Sequence, residues 1–134
     1  MTKHLRCLTI AAVLLAACTA NAQTARTGRL MREKLLHSQR ILQALTTSDW
    51  ALLQRETQAL ATVTKSPTWT ELITPELRPY TGEFQKALTD LSQAADRRDY
   101  DSAGASYVAL TQSCLACHKH VMNARIAGQP APPR

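Results

Sequence analysis

Cys114-Leu115-Ala116-Cys117-His118 concentrates the reactive side chains of the chain in five residues. Two thiols three residues apart lie on one face of a helix. Each can add across a vinyl group of the same porphyrin and form a thioether. The histidine that follows then offers an imidazole nitrogen to the iron as an axial ligand. This is the attachment pattern of a c-type haem. Two other chemistries use C-x-x-C. A redox dithiol of the thioredoxin kind expects a βαβ setting, and no stretch here reads as strand. A zinc site needs a second pair of ligands, and the chain downstream of residue 22 has no other cysteines.

The elements that must position this motif are helices. Aromatic residues make up 4% of the 134-residue chain, too few to suit a sheet protein. Leu and Ala are abundant, as in helices packed on one another. The length suits one domain. The formal net charge is +6, and loss of Lys3 and Arg6 with the leader lowers it by two. The other basic residues alternate with acids (Arg32-Glu33-Lys34, Asp96-Arg97-Arg98-Asp99), which is the pattern of a solvated helix surface. No dense basic stripe suggests nucleic acid.

Residues 1–22 read as a signal peptide. Lys3, His4 and Arg6 form its positive end, Leu8 to Ala17 its apolar run, and Ala20-Asn21-Ala22 a cleavage site. The apolar run is too short for a permanent membrane span. Leu15-Ala16-Ala17-Cys18 also fits a bacterial lipobox. In that alternative residues 1–17 are the lipoprotein signal and Cys18 becomes the lipidated N-terminus, the only way this chain would hold to a membrane. Both patterns imply export to the periplasm.

Residues 23–128 then make the expected domain, with residues 23–28 as a mobile leader and 129–134 as a disordered tail. A first helix over 29–45 aligns Met31, Leu35, Ser38, Leu42 and Leu45 in one stripe, flanked by Leu30 and Ile41. A second covers 49–65, with Trp50, Leu53 and Leu60 on one face. Ser66-Pro67 ends it, and Trp69 in the connection is placed over one end of the core. Thr74-Pro75 reads as the cap and first residue of a third helix reaching Arg97, with Pro79 and Gly82 weakening its start. A fourth covers 101–126, with Tyr107, Leu110, Cys114, Cys117, His118 and Val121 on one face, and Gly128 ends it. The predicted fold is all-α, an antiparallel up-down-up-down four-helix bundle with covalently attached haem.

In that topology the start of the first helix and the end of the fourth share one end of the bundle. A sixth iron ligand would therefore come from the first half of the first helix. Met31 is the main candidate, with core packing as its alternative. His37, on the flank of the stripe, is the second. His120 and Met122 share a helix with His118 and cannot reach the opposite haem face. Lys34 lies near the stripe and could pair with a haem propionate.

Taken together, these features resemble the class II c-type cytochromes, cytochrome c-prime and its low-spin relatives. That family carries C-x-x-C-H near the C-terminus of a four-helix bundle. Met31-Arg-Glu-Lys-Leu-Leu-His-Ser-Gln39 and Tyr107-Val-Ala-Leu-Thr-Gln-Ser-Cys114 are similar to small secreted cytochromes of this kind. The resemblance implies one haem c, thioethers at Cys114 and Cys117, His118 as the proximal ligand and Met31 as the distal ligand of the low-spin members. It also implies dimers through the first two helices as a common arrangement, so a homodimer is one expectation. One position departs from cytochrome c-prime: Met122 stands where an Arg is usual.

The expected role is a periplasmic one-electron carrier that works with redox partner proteins, unidentified from the sequence. The alternative is a five-coordinate haem protein that binds nitric oxide or carbon monoxide. A thiol or zinc protein without haem is the third reading. No paired-carboxylate motif, G-x-S-x-G or P-loop suggests an enzyme.

Overall fold

The computed structural model describes the backbone of residues 2–128, with side chains from residue 22 onward. Five helices occur among these residues: α1 (Thr2–Thr46), α2 (Trp50–Val63), α3 (Pro67–Leu72), α4 (Arg78–Arg97) and α5 (Tyr100–Ala127). The expected tail, 129–134, lies outside the described residues, as do the side chains of the signal segment up to residue 21.

Side-chain contacts fix the directions of the four long helices. His37 of α1 meets Glu56 of α2 across the turn that joins those helices. Gln54, near the start of α2, donates to Asp96, near the end of α4, at 3.1 Å. Tyr80, near the start of α4, stacks on His120, towards the end of α5. Each neighbour therefore runs antiparallel to the last, and the bundle is up-down-up-down. α3 lies in the connection between α2 and α4.

Local chemistry sets most boundaries. Asp49 caps α2 by accepting from the Leu52 N–H at 2.9 Å. Asp99 caps α5 in the same way through Ser102, at 3.1 Å. Ser66 accepts from the Trp69 N–H and Pro67 takes the first helical position, so the expected connection starts a true short helix, α3. α4 begins at Arg78, three residues later than Pro75. Pro79 explains the delay. In a helix begun at Pro75, residue 79 would have to donate an N–H to the first turn, and proline has none. At the second position of α4 its missing N–H costs nothing.

α1 differs from expectation in two ways. It runs unbroken through residues 23–28, so that stretch is helical and not a mobile leader. Its buried face is also rotated from the expected stripe. Leu30, Ile41, Ala44 and Leu45 are buried, while Leu35 is 58% and Leu42 47% exposed. At ~100° per residue the buried set is centred about 110° from the Met31–Leu35–Leu42 line. Both faces are apolar enough to be the inner one. The inner face is chosen by packing against α2, where Ala44 brings the helices close beside the tight turn at 47–49. On the other helices Leu53, Leu60 and Leu110 of the expected faces are buried, as are Phe84, Leu88, Leu91 and Ala95 of α4, while Trp50, Tyr107, Cys114, Cys117 and Val121 are half-buried.

Candidate haem site

The site lies between α1 and α5, and one contact sets its register. The Tyr107 hydroxyl of α5 donates to the Ser38 carbonyl of α1 at 3.2 Å. The Ser38 hydroxyl lies 3.5 Å from the same phenol oxygen. The helices are antiparallel, so a step back along α1 matches a step forward along α5. Met31 is two turns back from Ser38, and Cys114 is two turns forward from Tyr107. Met31 and Cys114 therefore share a level of the bundle, and both pack half-buried against the core.

The two thiols of the motif are also half-buried. Burial pushes both thiols above their usual value, the more buried Cys114 included, and the nearby Lys34 charge opposes the rise. His118 is exposed, so the imidazole stands on the solvent side of the helix face that carries the thiols. The sequence placed His118 on the inward face, and the structure places it at that face's rim. His120 is half-buried, with its ring centroid 5.1 Å from that of Tyr80 and its Nδ1 3.4 Å from the Tyr80 oxygen.

His37 turns the other way. Its Nδ1 lies 2.8 Å from Glu56 Oε2, against α2 and away from the cysteines. Glu56 is buried, with Arg40 and Arg55 each 3.6 Å from its Oε1. Burial alone would raise this carboxyl. The His37 hydrogen bond and the charges of Arg40, His37 and Arg55 outweigh burial and hold it below the usual range. His37 is thus engaged in tying α1 to α2.

Lys34 is half-buried on α1. Its Nζ lies 4.1 Å from the Trp69 ring centroid and 4.0 Å from that of Phe84. The two rings tilt at 45° with centroids 5.8 Å apart. Such placement over ring faces attracts a cation. Burial lowers the lysine's affinity for its proton, while the thiol charges of Cys114 and Cys117 act to raise it. Trp69 is 5% exposed, and its indole N–H is buried without an acceptor. This Lys34–Trp69–Phe84 cluster joins α1, α3 and α4 and was missed in the sequence. The inward placement of Lys34 could be read from helical period, but its aromatic neighbours lie tens of residues away and carry no local signal.

These residues fit a haem. The thiols sit one turn apart on a half-buried face, the imidazole follows them, and the bundle holds a buried polar donor without an acceptor, the Trp69 indole N–H. Among the described residues no three His, Cys, Asp or Glu side chains gather as metal ligands, so the zinc reading finds no second ligand pair.

A helical bundle with C-x-x-C-H in its last helix defines a class II c-type cytochrome. The family model described as Cytochrome C′ matches residues 13–120, and the chain belongs to that family. The group of that family is one covalently attached haem c, and Cys114 and Cys117 fit its attachment. No curated protein matches the chain. Among solved structures, the fold is similar to that of a single-residue variant of cytochrome c prime from Alcaligenes xylosoxidans, a nitric oxide complex. The TM-score is 0.63 at 20% identity, covering 74% of this chain and 91% of the other.

Proposed function

We propose that this haem protein is a periplasmic one-electron carrier, with His118 as proximal and Met31 as distal ligand. The observation that carries the reading is the shared level of Met31 and Cys114. It puts a thioether donor on the helix facing the one that bears the thiols. The haem supplies an iron that cycles between ferric and ferrous states. A thioether from Met31 would keep that iron six-coordinate in both and favour the ferrous one. Cys114 and Cys117 hold the macrocycle, and the exposed position of His118 puts that side of the group near solvent and near a redox partner. The role requires no substrate chemistry and therefore no enzyme activity. Export by the N-terminal segment supplies the compartment, and among the described residues no helix is long and apolar enough to cross a membrane.

The second reading is a five-coordinate protein for nitric oxide or carbon monoxide. The nitric oxide complex of the similarly folded Alcaligenes protein is the observation that favours it. Absorption spectra of the purified protein separate the two. Sharp reduced bands, unchanged by carbon monoxide and lost in Met31→Ala, are expected for the carrier. A broad reduced band with immediate carbon monoxide binding would leave Met31 as core packing and give the gas-binding reading first place.

A further inference from the structure

The outward face of α5 carries an apolar stripe that the described residues leave uncovered. Val108, Leu115, Met122 and Ile126 are each more than half exposed. At ~100° per residue these four and Gly104 fall within one arc of about 40°, centred about 130° from the thiols of Cys114 and Cys117. A haem held by those thiols sits on another face and leaves the stripe bare. Leu35 and Leu42 of α1 are exposed too. They lie about 50° beyond Ser38, the residue that meets α5, on the side away from α2. They widen the stripe across the seam between α1 and α5. Together these side chains expose on the order of 600 Å², the upper end of the ~300–600 Å² patch that a monomer ordinarily carries.

The stripe is complementary to itself. Val108 and Met122 each lie seven residues from Leu115, and Gly104 and Ile126 each lie eleven. The seven-residue spacing is that of a coiled-coil seam. A second copy laid antiparallel, with a twofold axis at Leu115, sets Leu115 against Leu115, Val108 against Met122 and Gly104 against Ile126. Gly104 has no packing reason inside the chain. A side chain added there meets nothing within 4 Å. Glycine in a helix costs ~0.5–1 kcal/mol relative to alanine. In the second copy's presence, the space that Gly104 leaves takes the branched side chain of Ile126. Lys119, on the flank of the stripe, then stands level with Gln112 of the partner subunit, so no like charges meet. With the polar residues between them, the apolar side chains approach the ~800 Å² per partner of a standard interface.

We propose that the protein forms an antiparallel dimer through α5, with Leu115 on the twofold axis. This face differs from the pairing through the first two helices that the family resemblance implies. It does not depend on whether the iron has a sixth ligand. His118 stands about 60° from the centre of the stripe, so the dimer leaves the imidazole at the rim of the interface, still open to a redox partner.

The test is sedimentation equilibrium of the haem-loaded protein, wild type and with Val108→Glu, Met122→Lys and both together. The wild type should show twice the monomer mass at micromolar concentration. Each single substitution should weaken the dimer by about tenfold or more, because it buries a charge against an apolar side chain twice, once per copy. The double variant should recover the dimer, because the twofold brings each new carboxylate against an ammonium of the partner subunit. Both positions are exposed in the single chain, so circular dichroism of all variants should match the wild type. A wild type that stays monomeric overturns the proposal and leaves the stripe to a redox partner. A dimer that neither single substitution weakens overturns it in favour of another face. Weakening without recovery in the double variant overturns the axis at Leu115.

Discussion

Tyr107 and Ser38 lock α1 against α5 by a hydrogen bond of 3.2 Å from the phenol to the backbone carbonyl. Their contact decides which residue of α1 stands level with Cys114. A slide of one helical turn would move Met31 by ~5.4 Å and replace it with a different side chain. Tyr107→Phe keeps the ring and removes the donor. It should lower stability by about 1 kcal/mol, with the denaturant midpoint falling and the slope unchanged. An unchanged midpoint would show that ring packing alone holds the register.

The rotated face of α1 gives a sharper contrast. Ile41 is 0% exposed and Leu35 is 58% exposed. Ile41→Ala should cost ~2–5 kcal/mol, as expected for a fully buried aliphatic chain. Leu35→Ala should stay within about 0.5 kcal/mol, as expected at the surface. Equal losses at the two positions in denaturant titrations would restore the Met31–Leu35–Leu42 stripe as the inner face.

This pair of residues also shows how far the sequence could be read. The bundle, the cysteine motif, the start of α2 at the Asp49 turn and the Leu53–Leu60 face of α2 follow from local period and turn chemistry, while the start of the last helix was placed at 101, two residues past its Asp99 cap. Those signals are short-range, and α2 and α4 each carry one apolar face. α1 carries two. Period alone cannot choose between them, because the choice is made by contact with α2 and α5. The same limit hid the Trp69–Phe84 wall around Lys34, which is assembled from three helices. The late start of α4 is different. Pro79 announced it locally, but Thr74-Pro75 offered a competing cap that the chain uses only as a turn, with Leu77 and Arg78 both donating to the Thr74 carbonyl.

Glu56 links stability to acid. Its carboxyl is held below the usual 4.5, with burial opposing and His37, Arg40 and Arg55 prevailing. A carboxyl lowered on folding stabilises the protein above its unfolded value, and that contribution is lost as pH falls through the lowered folded value. Thermal midpoints of the wild type should therefore drop as pH is taken below 4.5. Glu56→Gln should be less stable at neutral pH and should show a shallower fall over that acid range. Parallel curves for the two proteins would mean that other carboxyls carry the acid response.

The roles of the three motif residues can be separated because thioether bonds survive denaturation and axial bonds do not. On a denaturing gel, haem joined to Cys114 or Cys117 migrates with the chain, whereas haem held only by His118 is released. Cys114→Ser and Cys117→Ser should each keep one thioether, so gel-bound haem should persist in either single variant with an altered reduced spectrum. The double variant should show no gel-bound haem. His118→Ala should keep the haem on the gel and lose the native absorption bands, because the exposed imidazole contributes a ligand and no covalent bond. Serine is close to cysteine in size, so these changes spare the packing of α5 around Leu110 and Ser113, which are the buried residues beside the motif. Gel-bound haem in the double variant would move the attachment away from these thiols and remove the basis for placing Met31 opposite them.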